Sequence, residues 1–241
     1  NSNNFNLNEF QPQIIVHCGA LTHVDYCEDH VEESYEKTVV STRNLLQLAE
    51  KYQAKLVYLS TDYVFDGEQG PYVETDAVNP LSMYAKHKLE AEREVMLHHP
   101  DHLVLRITNV YGHEARNKNF VSRIIEQCQN NQALTLKLPK DQYATPVNAL
   151  DVAKAMWLLL QDNRSGVFHI ASTDFMNRVE LAVTVLRHFP TAQYTLEVLT
   201  TDEMNQPAKR PLLGGLVKSR FSDLYPEFIF STVDSFVREF I

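Results

Sequence analysis

The sequence has 241 residues, of which 44% are hydrophobic and 22% are charged, so the chain is long enough for one large globular domain with a full core. Its 12 Phe and 11 Tyr residues are spread along the chain and exclude a disordered or fibrous protein. The formal net charge of −9 argues against a protein that binds nucleic acid, because binding a phosphate backbone requires a basic face.

Neither a membrane nor a secreted location is indicated. No stretch approaches the ~18 consecutive apolar residues of a membrane-spanning helix, and the polar residues 1–10 cannot form the apolar part of a signal peptide. Three scattered cysteines cannot build a disulfide framework, which predicts a cytoplasmic protein. The spacings of Cys18 and Cys27 from the nearby histidines do not match those of a zinc site, and we expect no metal.

Apolar runs alternate with amphipathic segments along the chain. In chain order, the pattern predicts a strand at 13–18, a helix at 32–51, a strand at 55–59, a helix at 81–97, a strand at 103–107, a helix at 119–128, an extended segment at 134–138, a helix at 150–160, a strand at 167–170, and helices at 178–188 and 231–241. Strands that alternate with helices in this way predict an α/β fold with a parallel sheet.

Three polar segments follow predicted strands and mark the expected site. They are residues 19–28, 60–79 and 108–118. Ligands of parallel α/β sheets bind outside the carboxyl ends of the strands, and these segments fall there.

A tyrosine and a lysine lie four residues apart near the start of the second predicted helix. This spacing places Tyr84 and Lys88 on one helical face. A nearby ammonium favours phenolate, so Lys88 is expected to lower the pKa of Tyr84 from about 10 towards neutrality. A tyrosine tuned in this way can donate a proton to a carbonyl oxygen or accept one from an alcohol.

Hydroxyl groups follow the strand that precedes this helix. Ser60 and Thr61 come at its carboxyl end, where side chains face the ligand crevice. Thr61 could therefore hydrogen-bond a substrate carbonyl and hold it beside Tyr84. Ordinary strand-end turn chemistry is the alternative explanation for the two hydroxyls.

The chain resembles the extended short-chain dehydrogenase/reductases, and more closely the dTDP-4-dehydrorhamnose reductase group. The segments that carry the resemblance are STDYVFDG at 60–67 and PLSMYAKHKLE at 80–90, supported in order by VHCGALTHVDYCE at 16–28, RITNVYG at 106–112, DQYATP at 141–146 and Arg210-Pro211. Together they cover essentially the whole chain.

The resemblance implies the fold, the reaction and the site residues. The fold would be a doubly wound, Rossmann-like parallel sheet with a small C-terminal substrate lobe, and the reaction a hydride transfer from NADPH or NADH to C4 of a nucleotide-linked 4-keto-6-deoxy sugar. Thr61 would orient the keto group, Tyr84 would donate the proton, and Lys88 would tune Tyr84 and bind the nicotinamide ribose. The other cofactor residues would be Gly19, Ala20, Leu59 and Ser60. The substrate side would hold Val24, Asp25, Asp62, Tyr63, Asn109, Gln142 and Arg210.

The sequence also departs from the family pattern. Members open with a Gly-rich strand-turn-helix that receives the cofactor pyrophosphate, whereas the first strand here, at 13–18, corresponds to the family's fourth. We therefore expect residues 1–140 to form a dinucleotide-binding core that lacks its first βαβ unit, and 141–241 a substrate-side lobe interleaved with it. The chain opens on Asn rather than Met, and we expect it to bind no NAD(P) tightly. Asn109 replaces a family aromatic residue, and Tyr26 a basic one.

A second interpretation uses the same scaffold without catalysis. The regulatory subunit of methionine adenosyltransferase is similar in the segments DYVFDG and Tyr-x-Lys-x-Lys, so the chain could be a cofactor-binding regulatory subunit with a synthetase partner. The intact Thr61, Tyr84 and Lys88 favour the enzyme. The expected partners are then a nucleotide-sugar substrate and a second copy of the chain in a homodimer.

Overall fold

A four-stranded parallel sheet forms the centre of the computed structural model, which describes residues 9–98, 101–114 and 118–241. Its strands are β1 (Ile14–His17), β2 (Lys55–Thr61), β3 (Leu103–Ile107) and β6 (Gly166–His169). They lie side by side in that order, and Val57 of β2 is opposite Leu103 of β3. Since all four run in one direction, their carboxyl ends meet at one edge.

Helices cover both faces of this sheet. On one face lie α1 (Val24–Asp29), α2 (Val31–Tyr35), a π-helical turn (Glu36–Val40), α3 (Ser41–Tyr52) and α4 (Met83–His98), and on the other α6 (Ala149–Gln161) and α8 (Ser219–Leu224). Side chains alternate along a strand, so Leu56 and Tyr58 pack under α3 and α4, whereas Val57 packs under α6. The predicted doubly wound parallel sheet is confirmed.

A second layer of elements surrounds its own apolar core. Strand β4 (Leu134–Pro139) pairs in parallel with β8 (Tyr194–Leu199), and α5 (Phe120–Gln129), α7 (Arg178–Leu186) and α9 (Val233–Val237) pack beside them. Two-residue strands β5 (Tyr143–Ala144) and β7 (Met176–Asn177) run antiparallel close by. Since β4 precedes residue 140 and β8 follows it, the two parts of the chain are interleaved; the boundary itself stays a prediction.

Strand β1 is an edge strand among the four described strands of the sheet. It pairs with β2 only, within the described residues, and one of its faces lacks a helix. Ile14 and Val16 share that face and are 38% and 39% exposed, while Ile15 packs against the α3 side. Apolar composition alone cannot distinguish an edge strand from a central one.

Candidate active site

The carboxyl ends of β2 and β3 and the start of α4 enclose a cavity of about 450 Å³. Ten of the predicted site residues line it: Ala20, Val24, Leu59, Ser60, Thr61, Asp62, Tyr63, Tyr84, Lys88 and Asn109. Six further residues complete the wall: Cys18, Thr22, Ile107, Thr108, Val110 and Arg178. The three predicted polar segments thus meet at one site, although residues 115–117 of the third lie outside the described residues.

Thr61 is fixed by the turn that ends β2. It is the last residue of the strand, and its hydroxyl accepts a hydrogen bond from the backbone N–H of Tyr63 at 3.2 Å, which caps a 3-10 turn over Asp62–Val64. The side chain is 7% exposed and lines the cavity. The Thr61 hydroxyl therefore caps the turn and also lines the cavity, so the two explanations given for the strand-end hydroxyls do not exclude each other.

Tyr84 enters the cavity from the first turn of α4. The backbone N–H of Met83 donates to the Glu28 carboxylate at 2.7 Å, which fixes the start of the helix. The Tyr84 ring meets the Tyr63 ring edge-on at 5.9 Å. Burial raises the pKa of Tyr84 well above its ordinary range, and a hydrogen bond with Thr61 opposes that rise.

Lys88 lies one helical turn further along α4. Its Nζ donates to the carbonyl oxygen of Leu59 at 2.5 Å and lies 4.2 Å from the centre of the Tyr58 ring. Burial lowers the pKa of Lys88 to about 7, and the charge of Glu92 opposes this shift. The expectation that Lys88 brings the Tyr84 pKa towards neutrality is wrong for this structure: desolvation dominates the tyrosine, which keeps its proton.

A buried ion pair lies directly behind the cavity wall. The Arg106 guanidinium donates to Glu92 through Nη2 at 2.6 Å and through Nε at 3.2 Å. Ser60 Oγ donates to the same carboxylate at 2.7 Å, and Arg106 Nη1 lies 3.4 Å from His169 Nε2. These four residues are at most 5% exposed. The sequence analysis missed this network, although an arginine within the apolar strand LVLRI was a signal of it.

Four predicted residues lie outside the cavity wall. Asp25 and Arg210 bind each other through two contacts of 2.9 and 2.8 Å. Gln142 lies in a small adjoining pocket and donates to Thr201 Oγ1 at 3.0 Å. Gly19 does not face the cavity, and its N–H donates to His17 Nδ1 at 3.3 Å. The family resemblance assigned these four residues to the site, but in the structure each of them forms a hydrogen bond with another residue of the chain.

Arg178 is the charged residue among the six wall residues that sequence analysis did not identify. It is the first residue of α7, whose N-cap Asn177 accepts from the backbone N–H groups of Val179 and Glu180. The resulting helix start places the guanidinium beside Asn109, which accepts from Nη2 at 2.8 Å. The Asn-x-x-Glu capping pattern at 177–180 predicts the helix start, but only the tertiary structure shows that it faces the cavity.

Asp62 gives the site a defined pH dependence. Burial raises its pKa from 3.8 to about 6, although hydrogen bonds from the Gly215 N–H and the Thr61 hydroxyl oppose the rise. The folded state therefore holds this proton more tightly than the unfolded state. As pH rises from about 4 to about 6, the wild-type protein should lose on the order of 2–3 kcal/mol of unfolding free energy relative to Asp62→Asn.

Urea unfolding of both proteins across that pH range measures this difference. Asp66→Asn is the control because a hydrogen bond from Tyr72 lowers the Asp66 pKa, so the stability that this carboxylate contributes is lost only below about pH 4, and the difference between wild type and this variant should stay nearly constant across the measured range. A constant difference between wild type and Asp62→Asn would contradict the assignment.

Two kinds of feature are missing from residues 9–98, 101–114 and 118–241. No three His, Cys, Asp or Glu side chains in these ranges gather closely enough to hold a metal ion. None of the helices there combines the length and the apolar character needed to cross a bilayer.

A comparison with protein families identifies the family of this chain. A family model described as the RmlD substrate binding domain matches residues 3–229. The chain belongs to this family. Its resemblance to the extended short-chain dehydrogenase/reductases and to the dTDP-4-dehydrorhamnose reductase group is thereby confirmed.

Solved structures of RmlD-type proteins share the fold across nearly the whole chain. The chain is similar to a dTDP-4-dehydrorhamnose reductase from Clostridium acetobutylicum, with 31% identity, a TM-score of 0.86, and coverage of 97% of this chain and 81% of that one. It is also similar to a Bacillus anthracis dTDP-4-dehydrorhamnose reductase solved in complex with NADP, with 25% identity, a TM-score of 0.87, and coverage of 97% and 82%.

Similar curated proteins include members with names other than dTDP-4-dehydrorhamnose reductase. The β subunit of methionine adenosyltransferase 2 from Danio rerio is 33% identical over 221 residues, which cover 89% of this chain and 67% of that protein. The spore coat polysaccharide biosynthesis protein SpsK of Bacillus subtilis is 29% identical, with coverage of 84% and 70%. The chain thus spans about two thirds of the length of these relatives.

Proposed function

We propose that this protein is an NAD(P)H-dependent reductase of a nucleotide-linked 4-keto-6-deoxy sugar. The observation that carries the proposal is the convergence of Thr61, Tyr84 and Lys88 on one cavity at the carboxyl ends of parallel strands. The similarity to dTDP-4-dehydrorhamnose reductases supports this substrate class. The scattered cysteines support a cytoplasmic location for the activity.

Tyr84 is assigned as the proton donor. Reduction of a ketone places negative charge on the carbonyl oxygen, which then needs a proton. Because burial raises the Tyr84 pKa, the phenol holds its proton until that charge develops. The Thr61 hydroxyl, within hydrogen-bonding reach of Tyr84, is assigned to orient the same oxygen.

The residues present fit the nicotinamide end of a dinucleotide. An ammonium has three donors, and the described acceptor of Lys88 is the Leu59 carbonyl oxygen alone, which leaves donors for ribose hydroxyls. Ser60, Ala20 and Leu59 line the wall beside it. A reduced nicotinamide, when bound, supplies the hydride. NADP in the Bacillus anthracis relative supports a cofactor of this class.

The test is turnover by the full-length protein. NADPH or NADH is mixed with dTDP-4-dehydrorhamnose, and loss of the reduced nicotinamide is followed together with formation of the deoxysugar product. Product formation dependent on both substrates is the expected result. Failure of both cofactors to support reduction of any nucleotide-linked keto sugar would sink the proposal.

A second candidate is a non-catalytic regulatory subunit. The observation that favours it is the 33% identity to a methionine adenosyltransferase β subunit. Purification of the protein from its source in a fixed stoichiometry with a methionine adenosyltransferase, together with no turnover on keto sugars, would select this role. A protein that reduces keto sugars and purifies without a synthetase would exclude it.

A further inference from the structure

The inner wall of the cavity carries a guanidinium that forms no salt bridge within the described residues, although the Asp62 carboxyl in the same wall acts on it electrostatically from a longer distance. Arg178 is held by Asn109, whose Oδ1 accepts from Nη2 at 2.8 Å, and its guanidinium lies 5.5 Å from the centre of the Phe120 ring. Both contacts orient the group, and neither neutralises it. The side chain lines the main cavity and also the small pocket beside it.

Two other arginines near the sheet are paired with carboxylates. Arg210 binds Asp25 at 2.8 Å, and Arg106 binds Glu92 at 2.6 Å. Among the described residues, no carboxylate lies within 4 Å of the Arg178 guanidinium. A charge removed from water is normally paired, so an unpaired guanidinium at a cavity wall is suited to a ligand anion.

The chemistry of Asn109 reinforces this arrangement. Its backbone is in the left-handed region with φ 39°, and the carboxamide reaches across to Arg178. An aspartate there would hold the guanidinium equally well but would satisfy its charge. A neutral amide fixes one of the five guanidinium donors and leaves a full positive charge for a ligand.

We propose that Arg178, positioned by Asn109 and Phe120, binds an anionic group of the ligand that occupies the cavity. The group is a phosphoryl or carboxylate oxygen, which matches the planar donors of a guanidinium. This inference rests on the proposed function in taking the ligand to be a nucleotide-linked sugar. For the 4-keto-6-deoxy sugar proposed above, the anion is the diphosphate, whereas a carboxylate would belong to a different nucleotide-linked sugar, one oxidised at C6.

Binding measurements on matched variants test the assignment without any turnover. Arg178→Gln removes the charge, and Arg178→Lys keeps it without the planar donors. Asn109→Asp supplies the missing counter-charge. The control is Arg123→Gln, which removes the same charge. Arg123 lies 5.9 Å from the centre of the same Phe120 ring, but it is exposed and does not line the cavity.

Calorimetric titration with dTDP-glucose and dTDP-glucuronate gives the affinities. Arg178→Gln should bind about 10- to 100-fold more weakly than wild type, Asn109→Asp should also weaken binding, Arg178→Lys should lie between, and Arg123→Gln should match wild type. A loss that is equal for both ligands assigns the diphosphate. A loss confined to dTDP-glucuronate assigns the carboxylate.

The inference and the proposed function fail in different ways. Unchanged affinity of Arg178→Gln for both ligands overturns the anion site even if wild type reduces keto sugars. Absence of binding by wild type also overturns it. Weakened binding by Arg178→Gln sustains the anion site even if no reduction is ever observed, because the titration requires no hydride transfer.

Discussion

Replacing Tyr84 with Phe should reduce the turnover number for keto-sugar reduction by about 10²- to 10⁴-fold. The substitution removes the hydroxyl that is assigned to donate the proton, and it leaves the ring contact with Tyr63 in place. Because a buried hydroxyl is replaced by a hydrogen, the fold should survive. Steady-state kinetics and a thermal unfolding curve on the same preparation measure the two effects separately.

Tyr225→Phe is the matched control for this variant. Its hydroxyl donates to Asp162 at 2.8 Å and to the Leu158 carbonyl oxygen at 3.2 Å, outside the cavity wall. Removing it should affect stability by about 1 kcal/mol and leave turnover unchanged. Full activity of Tyr84→Phe would contradict the assignment of Tyr84 as the proton donor. The role assigned to Thr61, which depends on Tyr84, would then fail as well.

Replacing Glu92 with Gln should lower the free energy of unfolding by about 3–5 kcal/mol. The change leaves the buried Arg106 guanidinium without its counter-charge and weakens the acceptor of Ser60 Oγ. Since the Glu92 charge opposes the downward shift of the Lys88 pKa, the variant should also shift that pKa further below about 7. Chemical denaturation measures the first effect, and the pH profile of turnover measures the second.

The same helix offers a control with the same substitution. Glu94 accepts from Arg43 at 2.6 Å, the distance found between Glu92 and Arg106, but the Arg43 side chain is 41% exposed. Water screens that pair, so Glu94→Gln should change stability by no more than about 1 kcal/mol. Equal losses for the two variants would contradict the importance given to burial.

The central sheet and the meeting of Thr61, Tyr84 and Lys88 could be predicted from sequence, because both depend on local patterns. Apolar runs determined β2 and β3, and the four-residue spacing placed Tyr84 and Lys88 on one helical turn. Strand β8 was missed since most of its side chains are exposed and their pattern is weak. The short helix α1, which lies mostly within the polar segment 19–28, was not predicted.

Contacts between distant residues explain the remaining differences. The pair of Asp25 and Arg210 joins positions 185 residues apart, and the bond of Arg178 to Asn109 joins positions 69 apart. No spacing rule connects such positions. The Tyr84 pKa was likewise predicted in the wrong direction because its burial depends on the whole cavity wall rather than on its lysine neighbour.

Strand β1 connects one edge of the described sheet to the cavity. Its outer backbone groups meet no strand within the described residues, and Ile14 and Val16 are 38% and 39% exposed on one face. An edge strand of this kind can accept a further strand by backbone hydrogen bonding. A strand added there would continue the sheet beside Cys18, so pairing at this edge would also extend the wall of the cavity.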